Sequence, residues 1–328
     1  MSKIRFGIVG PGNIARKFAA AANNLKEDCE LVAVASSHDL AKAEAFAKAF
    51  SIPHAFGSYE AMAASSLVDC VYIATPHPFH KPCAEIFLRA GKHVLCEKPM
   101  CVNAKEATAL AACAKENNVF LMEAMWTRFL PAIMEVMAKV KAGEIGELLG
   151  LSADFCYAST PAEEKKIFRN DMAGGALLDV GVYTLHLAAM LFGLSVESIS
   201  AEANLLDGVD AHTQVSVRYT GGGIASLSSA IVVQKPATAV LYGSRGYIRI
   251  PQFYGASEYT VVHGNKETRF ECPFLGNGFE EEILEVIRAV RAGETESPSH
   301  PLSLTISVLE QMDKIRRMIG LSYPMDEN

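Results

Sequence analysis

The stretch Ile4-Arg5-Phe6-Gly7-Ile8-Val9-Gly10-Pro11-Gly12-Asn13-Ile14-Ala15 decides how the first half of the chain folds. Ile4 to Val9 is a short apolar run, as a strand buried on both faces requires. It feeds into G-x-G-x-x-A, and a helical pattern follows from Ala15 to Asn24. In this arrangement the first glycine makes the tight turn and the second lets the backbone approach a pyrophosphate. The third small residue lets helix and strand pack closely, and the helix N-terminus faces the phosphates. A glycine-rich turn alone is a weak signal. Here the context agrees: a strand precedes it, a helix follows, and a second strand, Leu31 to Ala35, comes at the expected distance. Gly10, Gly12, Asn13 and Ile14 are therefore expected to hold a dinucleotide.

The end of the second strand selects the cofactor. An acid there would hold the ribose 2′-hydroxyl of NAD. This chain has Ser36, Ser37 and His38, with Asp39 further on. Nothing at that tip repels a 2′-phosphate, and hydroxyls and an imidazole can donate to one. NADP is favoured, while the lack of an Arg leaves NAD open.

Working outward, helix and strand keep alternating. Asp39 to Phe50 and Ser58 to Ala64 read as helices, and Val68 to Ala74 as a buried strand. That strand ends in Thr75-Pro76-His77-Pro78-Phe79-His80. Loops beyond the carboxyl ends of parallel strands are where ligands bind in such sheets. Thr75, Pro76 and His80 are expected near the cofactor and His77 near the substrate, the alternative being helix capping or plain exposure. The next strand, Gly91 to Cys96, delivers Glu97-Lys98-Pro99 at its carboxyl end. Lys98 follows a buried strand and precedes a proline that fixes the local backbone, unlike an ordinary surface lysine. Whether Lys98-Pro99 is cis cannot be read from sequence. Asn103 to Asn118 is a helix with Asn103 as N-cap, and Val119 to Glu123 closes the sheet.

The 328 residues suggest two domains, 1–124 for the dinucleotide and 125–328 for substrate and dimerisation. The net charge is −7 with no long basic run, so nucleic acid and anionic membranes are not expected partners. No uninterrupted apolar stretch reads as a membrane span, and Met-Ser-Lys-Ile-Arg lacks the apolar core of a signal peptide. Eight scattered cysteines without a C-x-x-C pair read as reduced, buried thiols. A cytosolic protein is expected, and no metal ligand set.

From Trp126 the pattern changes. Helical Pro131 to Ala142 is followed by long alternating strands, among them Leu149 to Tyr157, Ile199 to Leu206, Thr213 to Tyr219, Ile224 to Val233, Tyr247 to Ile250 and Tyr259 to Val262. Two helices, Phe279 to Ala292 and Leu302 to Ile319, end the chain. The loop Ser159 to Met172, with charges at Glu163, Glu164, Lys165 and Lys166, is either a lid or solvated surface. Within this half, GGALLDVGVYTLHLAAMLFG (Gly174 to Gly193) reads as one apolar helix. Asp179, Tyr183 and His186 are spaced i, i+4, i+7 and share one helical face. A carboxylate, a phenol and an imidazole on one stripe of an apolar helix are expected to meet something polar. His186 is assigned mainly to packing.

GIVGPGNIA, ATPHPFH, CEKP and GGALLDVGVY, in this order and spacing along the whole chain, resemble the Gfo/Idh/MocA family of glucose–fructose oxidoreductase and inositol dehydrogenase. FLMEAMWTRF (Phe120 to Phe129) and Tyr183 look like the dimeric dihydrodiol dehydrogenase branch, which includes NADP-dependent D-xylose 1-dehydrogenases. Inositol-type members usually carry a His where this chain has Tyr183. The branch often has an Arg where this chain has Ser36-Ser37-His38, a departure that bears on cofactor choice and not on the chemistry. The resemblance implies a Rossmann doubly wound parallel sheet followed by an open, mostly antiparallel sheet with helices on one face. It also implies a homodimer through that second sheet.

The implied chemistry is hydride transfer between a nicotinamide and a hydroxyl carbon of a sugar or trans-dihydrodiol. The cofactor takes the hydride; the protein must take the proton. Tyr183 is the candidate acceptor, and a phenol of pKa about 10 needs a nearby ammonium to ionise readily. Lys98 is the candidate source, and it also counts among the cofactor contacts with Glu97. Asp179 would orient the lysine or the substrate. Trp126 suits the apolar face of a sugar ring or arene diol, with Arg128 close by in sequence; Phe155 and Arg169 are further pocket candidates. The rival readings are a dinucleotide-sensing regulator without activity, an enzyme using NAD as a transient oxidant, and an inositol or polyol dehydrogenase.

Overall fold

The computed structural model describes residues 2–162 and 166–327. Glu163, Glu164 and Lys165 of the charged loop lie outside the described residues. Two compact units emerge. The first comprises Met1–Cys101, Lys105–Trp126 and Leu275–Thr305; the second comprises Val102–Ala104, Thr127–Phe274 and Ile306–Asn328. The chain thus returns to the first unit at residues 275–305, a segment that sequence reading groups with the second.

In the first unit, six strands form a parallel sheet: β1 (Ile4–Val9), β2 (Cys29–Ala35), β3 (His54–Phe56), β4 (Cys70–Ile73), β5 (His93–Glu97) and β6 (Leu121–Ala124). Their order is β3-β2-β1-β4-β5-β6, and all neighbouring pairs are parallel. The order reverses between β1 and β4, which opens a crevice beyond their carboxyl ends. Helix α1 (Asn13–Asn24) buries Ala15, Phe18, Ala19 and Ala22, residues that one helical face brings together. Phe18 stacks on Tyr72 of β4 at 3.9 Å. Asp39 is the N-cap of α2 (Leu40–Phe50) and accepts from the Lys42 amide, and Ser58 caps α3 (Tyr59–Ala63) in the same way. Helices α4 (His80–Arg89) and α5 (Ala104–Glu116) complete the alternation.

The second unit opens with α6 (Pro131–Lys141). Its sheet has β7 (Leu148–Cys156), β8 (Val196–Leu206), β9 (Val209–Tyr219), β10 (Ile224–Ala230), β11 (Ala239–Gly243), β12 (Tyr247–Ile250), β13 (Glu258–His263) and β14 (Lys266–Glu271). The order is β14-β13-β12-β11-β7-β10-β9-β8. Only β7 and β10 pair in parallel; the other pairs are antiparallel. The apolar segment from Gly174 is not one uniform helix. Leu177–Gly181 is a π-helical turn, and α7 (Val182–Phe192) continues from it. The wider turn changes the angular step between Asp179 and Tyr183 that an ideal α-helix would give. This segment packs on β7 and β10. By length and composition 170–192 could cross a membrane, against the reading that no stretch reaches that length, yet 78% of that window is buried as a core helix.

Asp210 of β9 fixes the start of this helical segment. Its Oδ2 accepts from the Leu177 amide at 2.8 Å and from Thr213 Oγ1 at 2.7 Å. Gly175, at φ +111°, lets the chain pass so close that a Cβ there would meet Asp210 Oδ1 at 2.1 Å. The last helices are α8 (Phe279–Arg291) and α9 (Leu302–Met318).

Candidate active site

Four loops at the carboxyl ends of the parallel strands carry the nucleotide-side residues. Gly10 adopts φ +87°, and a Cβ there would press on Thr75 Cγ2 at 3.0 Å and the Ala74 carbonyl at 3.1 Å. The Gly10 amide donates to Ala35 O at 3.0 Å and the Gly12 amide to Gly10 O at 2.8 Å, which shapes the turn. Gly12 is the N-cap of α1 and brings no capping side chain, and no acid sits in the first turn. A Cβ at Gly12 would meet nothing within 4 Å. Uncapped amides at a helix N-terminus beneath open space form the cradle that a pyrophosphate fits. Asn13 and Ile14 lie in that first turn. Ser36 is buried, while Ser37 and His38 at the strand tip are exposed.

The β4 loop brings Thr75, Pro76 and His77 to half-buried positions. His80 is different: it is 1% exposed, and its ring nitrogens lie 2.8 Å from Pro99 O and 2.7 Å from Thr75 O. Burial, then the neighbouring His77, holds its pKa down to about 4. Buried between the two carbonyls, the neutral ring donates to one of them and packs between the β4 and β5 loops, where the sequence suggested a direct cofactor contact. Glu97 accepts from Tyr72 Oη and from the Lys98 amide at 3.2 Å, and burial raises its pKa. Lys98 is half-buried, and its bond to Pro99 is cis. Behind this loop, Glu123 Oε1 accepts from the Met100 amide at 2.9 Å. Its Oε2 accepts from Thr305 Oγ1 at 2.8 Å and lies 3.3 Å from His300 Nε2. Glu123 thus pins the Lys98 turn from below. Trp126 stacks on Phe279 of α8 at 5.2 Å.

In the second unit, Asp179 and Tyr183 share their surroundings with residues the sequence reading did not single out. Tyr157 Oη donates to Asp179 Oδ2 at 3.0 Å. The Tyr183 ring, 8% exposed, lies 5.3 Å from Phe155 and 6.2 Å from Tyr254. Phe155 and Tyr254 stack at 4.2 Å. Gly181 allows this helix to approach β10, because a Cβ there would meet Ser229 Oγ at 3.0 Å. His186 is buried at 2%. Arg128 is half-buried, and desolvation lowers its pKa. Arg169 pairs on the surface with Asp171 and takes no part in this cluster. The alternation of β7, carried one residue past its end, puts Tyr157 on the face of Phe155, a signal the sequence does hold. Tyr254 sits in a three-residue turn with no period to betray it.

Residues 4–125 match the profile of the oxidoreductase family with NAD-binding Rossmann fold, and residues 133–249 match the GFO/IDH/MocA C-terminal domain. The chain is 36% identical over 334 residues to trans-1,2-dihydrobenzene-1,2-diol dehydrogenase of Mus musculus, covering 99% of each. The chain belongs to the Gfo/Idh/MocA oxidoreductase family. The Homo sapiens dihydrodiol dehydrogenase is 35% identical over 333 residues, again with 99% of each covered. Among solved structures, a 3-ketoreductase from Actinomadura kijaniata with NADP and TDP-benzene superposes with a TM-score of 0.85 at 26% identity, covering 97% of this chain and 98% of that one. Levoglucosan dehydrogenase with NADH shares the fold at a TM-score of 0.87 and 18% identity, covering 97% of each. As a Gfo/Idh/MocA member with this nucleotide cradle, the chain is an NAD(P)-dependent oxidoreductase.

Proposed function

We propose that this enzyme oxidises a hydroxyl carbon of a sugar or a trans-dihydrodiol, with NADP preferred over NAD. The observation that carries the reading is the Tyr157–Asp179 hydrogen bond beside Tyr183 in an aromatic wall. An aromatic wall suits the apolar face of a pyranose or an arene diol, and a carboxylate suits their hydroxyls.

The residues divide the work as follows. Gly10 and Gly12 shape the turn that lets the pyrophosphate approach, and Asn13 and Ile14 offer it their backbone amides at the start of α1. Ser36, Ser37 and His38 receive the adenosine ribose and donate to a 2′-phosphate. Thr75, Pro76, Glu97 and Lys98 line the nicotinamide side, and His77, Trp126, Arg128 and Phe155 serve the substrate. When bound, the nicotinamide accepts the hydride. Tyr183 Oη takes the hydroxyl proton, the Lys98 ammonium supplies the positive charge that favours a phenolate, and Asp179 orients the reacting group.

Absorbance at 340 nm tests this, with NADP and NAD offered separately against aldopyranoses, inositols and trans-dihydrodiols. Reduction of NADP with a sugar or diol supports the reading, and a preference for inositols redirects it to a polyol dehydrogenase. Silence across the panel with tight cofactor binding overturns it in favour of a dinucleotide-sensing regulator.

The same proposal includes a homodimer through the second sheet. The face of that sheet away from α7 aligns Ser152, Ser226, Ser216 and Ser200 in one row. Ile224 and Tyr242 stand exposed on that face at 37% and 46%. Small residues with a few exposed apolar ones suit a flat, close contact. All eight cysteines are free and buried, which suits the reducing cytosol.

A further inference from the structure

The helical segment that carries Asp179 and Tyr183 is pinned at its entry from two directions. Tyr323, beyond the end of α9, donates from Oη to Gly174 O at 2.5 Å. Asp210 of β9 accepts the Leu177 amide on Oδ2 at 2.8 Å, and the same oxygen accepts from Thr213 Oγ1 at 2.7 Å. Between the two pins, Gly175 brings its backbone against Asp210 Oδ1, where a Cβ would clash. The pinned amide belongs to the first residue of the π turn that holds Asp179, and α7 with Tyr183 follows directly. Where Leu177 is fixed, both side chains of the reaction centre are fixed.

The two oxygens of Asp210 stand in unequal surroundings. Oδ2 takes both donors, while Oδ1 is buried and, among the described residues, receives no hydrogen bond. A carboxylate spreads its charge over both oxygens, so a bare one in the interior is costly. A carboxylic acid suits the pattern better, with its carbonyl oxygen at Oδ2 and its hydroxyl at Oδ1. Arg316 of α9 favours the charged form, but its guanidinium is bound to Asp313 at 2.6 Å and to Asp326 at 2.5 Å. Asp326 also accepts from the Tyr323 amide at 2.9 Å. β10 carries no ionisable side chain, and β8 places Leu205 opposite Asp210. Burial accordingly pushes the Asp210 pKa up to about 7. Burial, then Asp210 itself, raises the Tyr323 pKa, so the phenol feels that carboxyl. A charge on Asp210 would draw the Tyr323 hydroxyl away from Gly174 O and disturb both pins together. We infer that Asp210 is a positioning residue for the reaction: in its neutral form it fixes Leu177 and so the places of Asp179 and Tyr183, and its ionisation loosens that entry and slows turnover. The inference rests on the reading of Asp179 and Tyr183 as the reaction centre.

Turnover at saturating NADP, followed across neutral pH with a sugar or diol that gives a 340 nm signal, tests it. In wild type kcat is expected to fall as pH rises through about 7, approaching about tenfold per further pH unit, with KM little changed. Asp210→Asn keeps an acceptor for both donors and cannot ionise, so the fall should vanish. Thr213→Val removes a donor that favours the charged form, so the fall should move to higher pH. A profile that neither variant alters overturns the inference, as does an Asp210→Asn enzyme slowed equally at every pH. If Asp210→Asn does not fold, Thr213→Val carries the test. Hydrogen exchange at the Leu177 amide, corrected for the intrinsic rate, reads the same pin without substrate. Wild type should lose protection as pH rises through about 7, and Asp210→Asn should keep it. That loss, with no sugar or diol oxidised, keeps the switch at Leu177 and removes the proposed reaction. Oxidation with a flat pH profile and constant protection does the reverse.

Discussion

Tyr183 brings a phenol to a wall of rings, with a hydrogen-bonded carboxylate one turn before it on the chain. Replacing it with Phe keeps the packing and removes only the proton acceptor. Tyr183→Phe is expected to lower turnover by about 10²-fold or more, with NADP affinity unchanged in a fluorescence titration. Near-normal turnover would remove Tyr183 from the mechanism and leave Lys98 as proton carrier. If Lys98 acts through Tyr183, the double variant Lys98→Met/Tyr183→Phe should be scarcely slower than the worse single one. A second residue-scale effect concerns Asp210, whose pKa burial pushes up to about 7. In the unfolded chain an aspartate titrates near 3.9. From about pH 4 to 7 the unfolded chain therefore releases this proton while the folded chain keeps it. The stability present below pH 4 is lost as pH rises through 7, by up to roughly 4 kcal/mol. Asp210→Asn should abolish that slope in denaturant melts at pH 5 and 8. Parallel pH profiles for the two proteins would show that Asp210 titrates normally.

At the scale of elements, the turn before α7 depends on a residue without a side chain. Gly175→Ala forces φ +111° on an L-residue and drives its Cβ onto Asp210 Oδ1. A loss of at least about 2 kcal/mol is expected, read as a fall of several degrees in Tm, and a Tm within one degree of wild type would contradict the tightness of this turn. The elements differ in how far they could be read in advance. The nucleotide loop and the Glu97-Lys98-Pro99 corner were legible because each rests on a few consecutive residues beside a buried strand. The π turn at Leu177–Gly181 was not, since an apolar run supports either helical pitch. The role of Glu123 was hidden because Thr305 and His300 lie 182 and 177 residues further on. Strand β14 (KETRFE) is charged along most of its length, as an edge strand that resists pairing should be, and so carries no hydrophobic signal. The buried place of His80 between two loops was not legible, because its partners are backbone carbonyls with no sequence identity.

At the scale of the whole molecule, the exposed Ile224 and Tyr242 on a face of aligned serines lead to a test of assembly. Light scattering at micromolar concentration is expected to give twice the chain mass of 35.4 kDa. Ile224→Asp combined with Ser226→Arg should halve it, and a monomeric wild type would contradict the dimer. The return of residues 275–305 to the first unit bears on how the protein is made. The Leu121 amide, the Trp126 ring and the Glu123 carboxylate find Thr295, Phe279 and Thr305 there. At 5–20 residues per second, translation takes roughly ten to forty seconds to travel from Trp126 to Thr305. Throughout that interval the nascent nucleotide unit waits on the ribosome, and it closes only once residues 275–305 have been made.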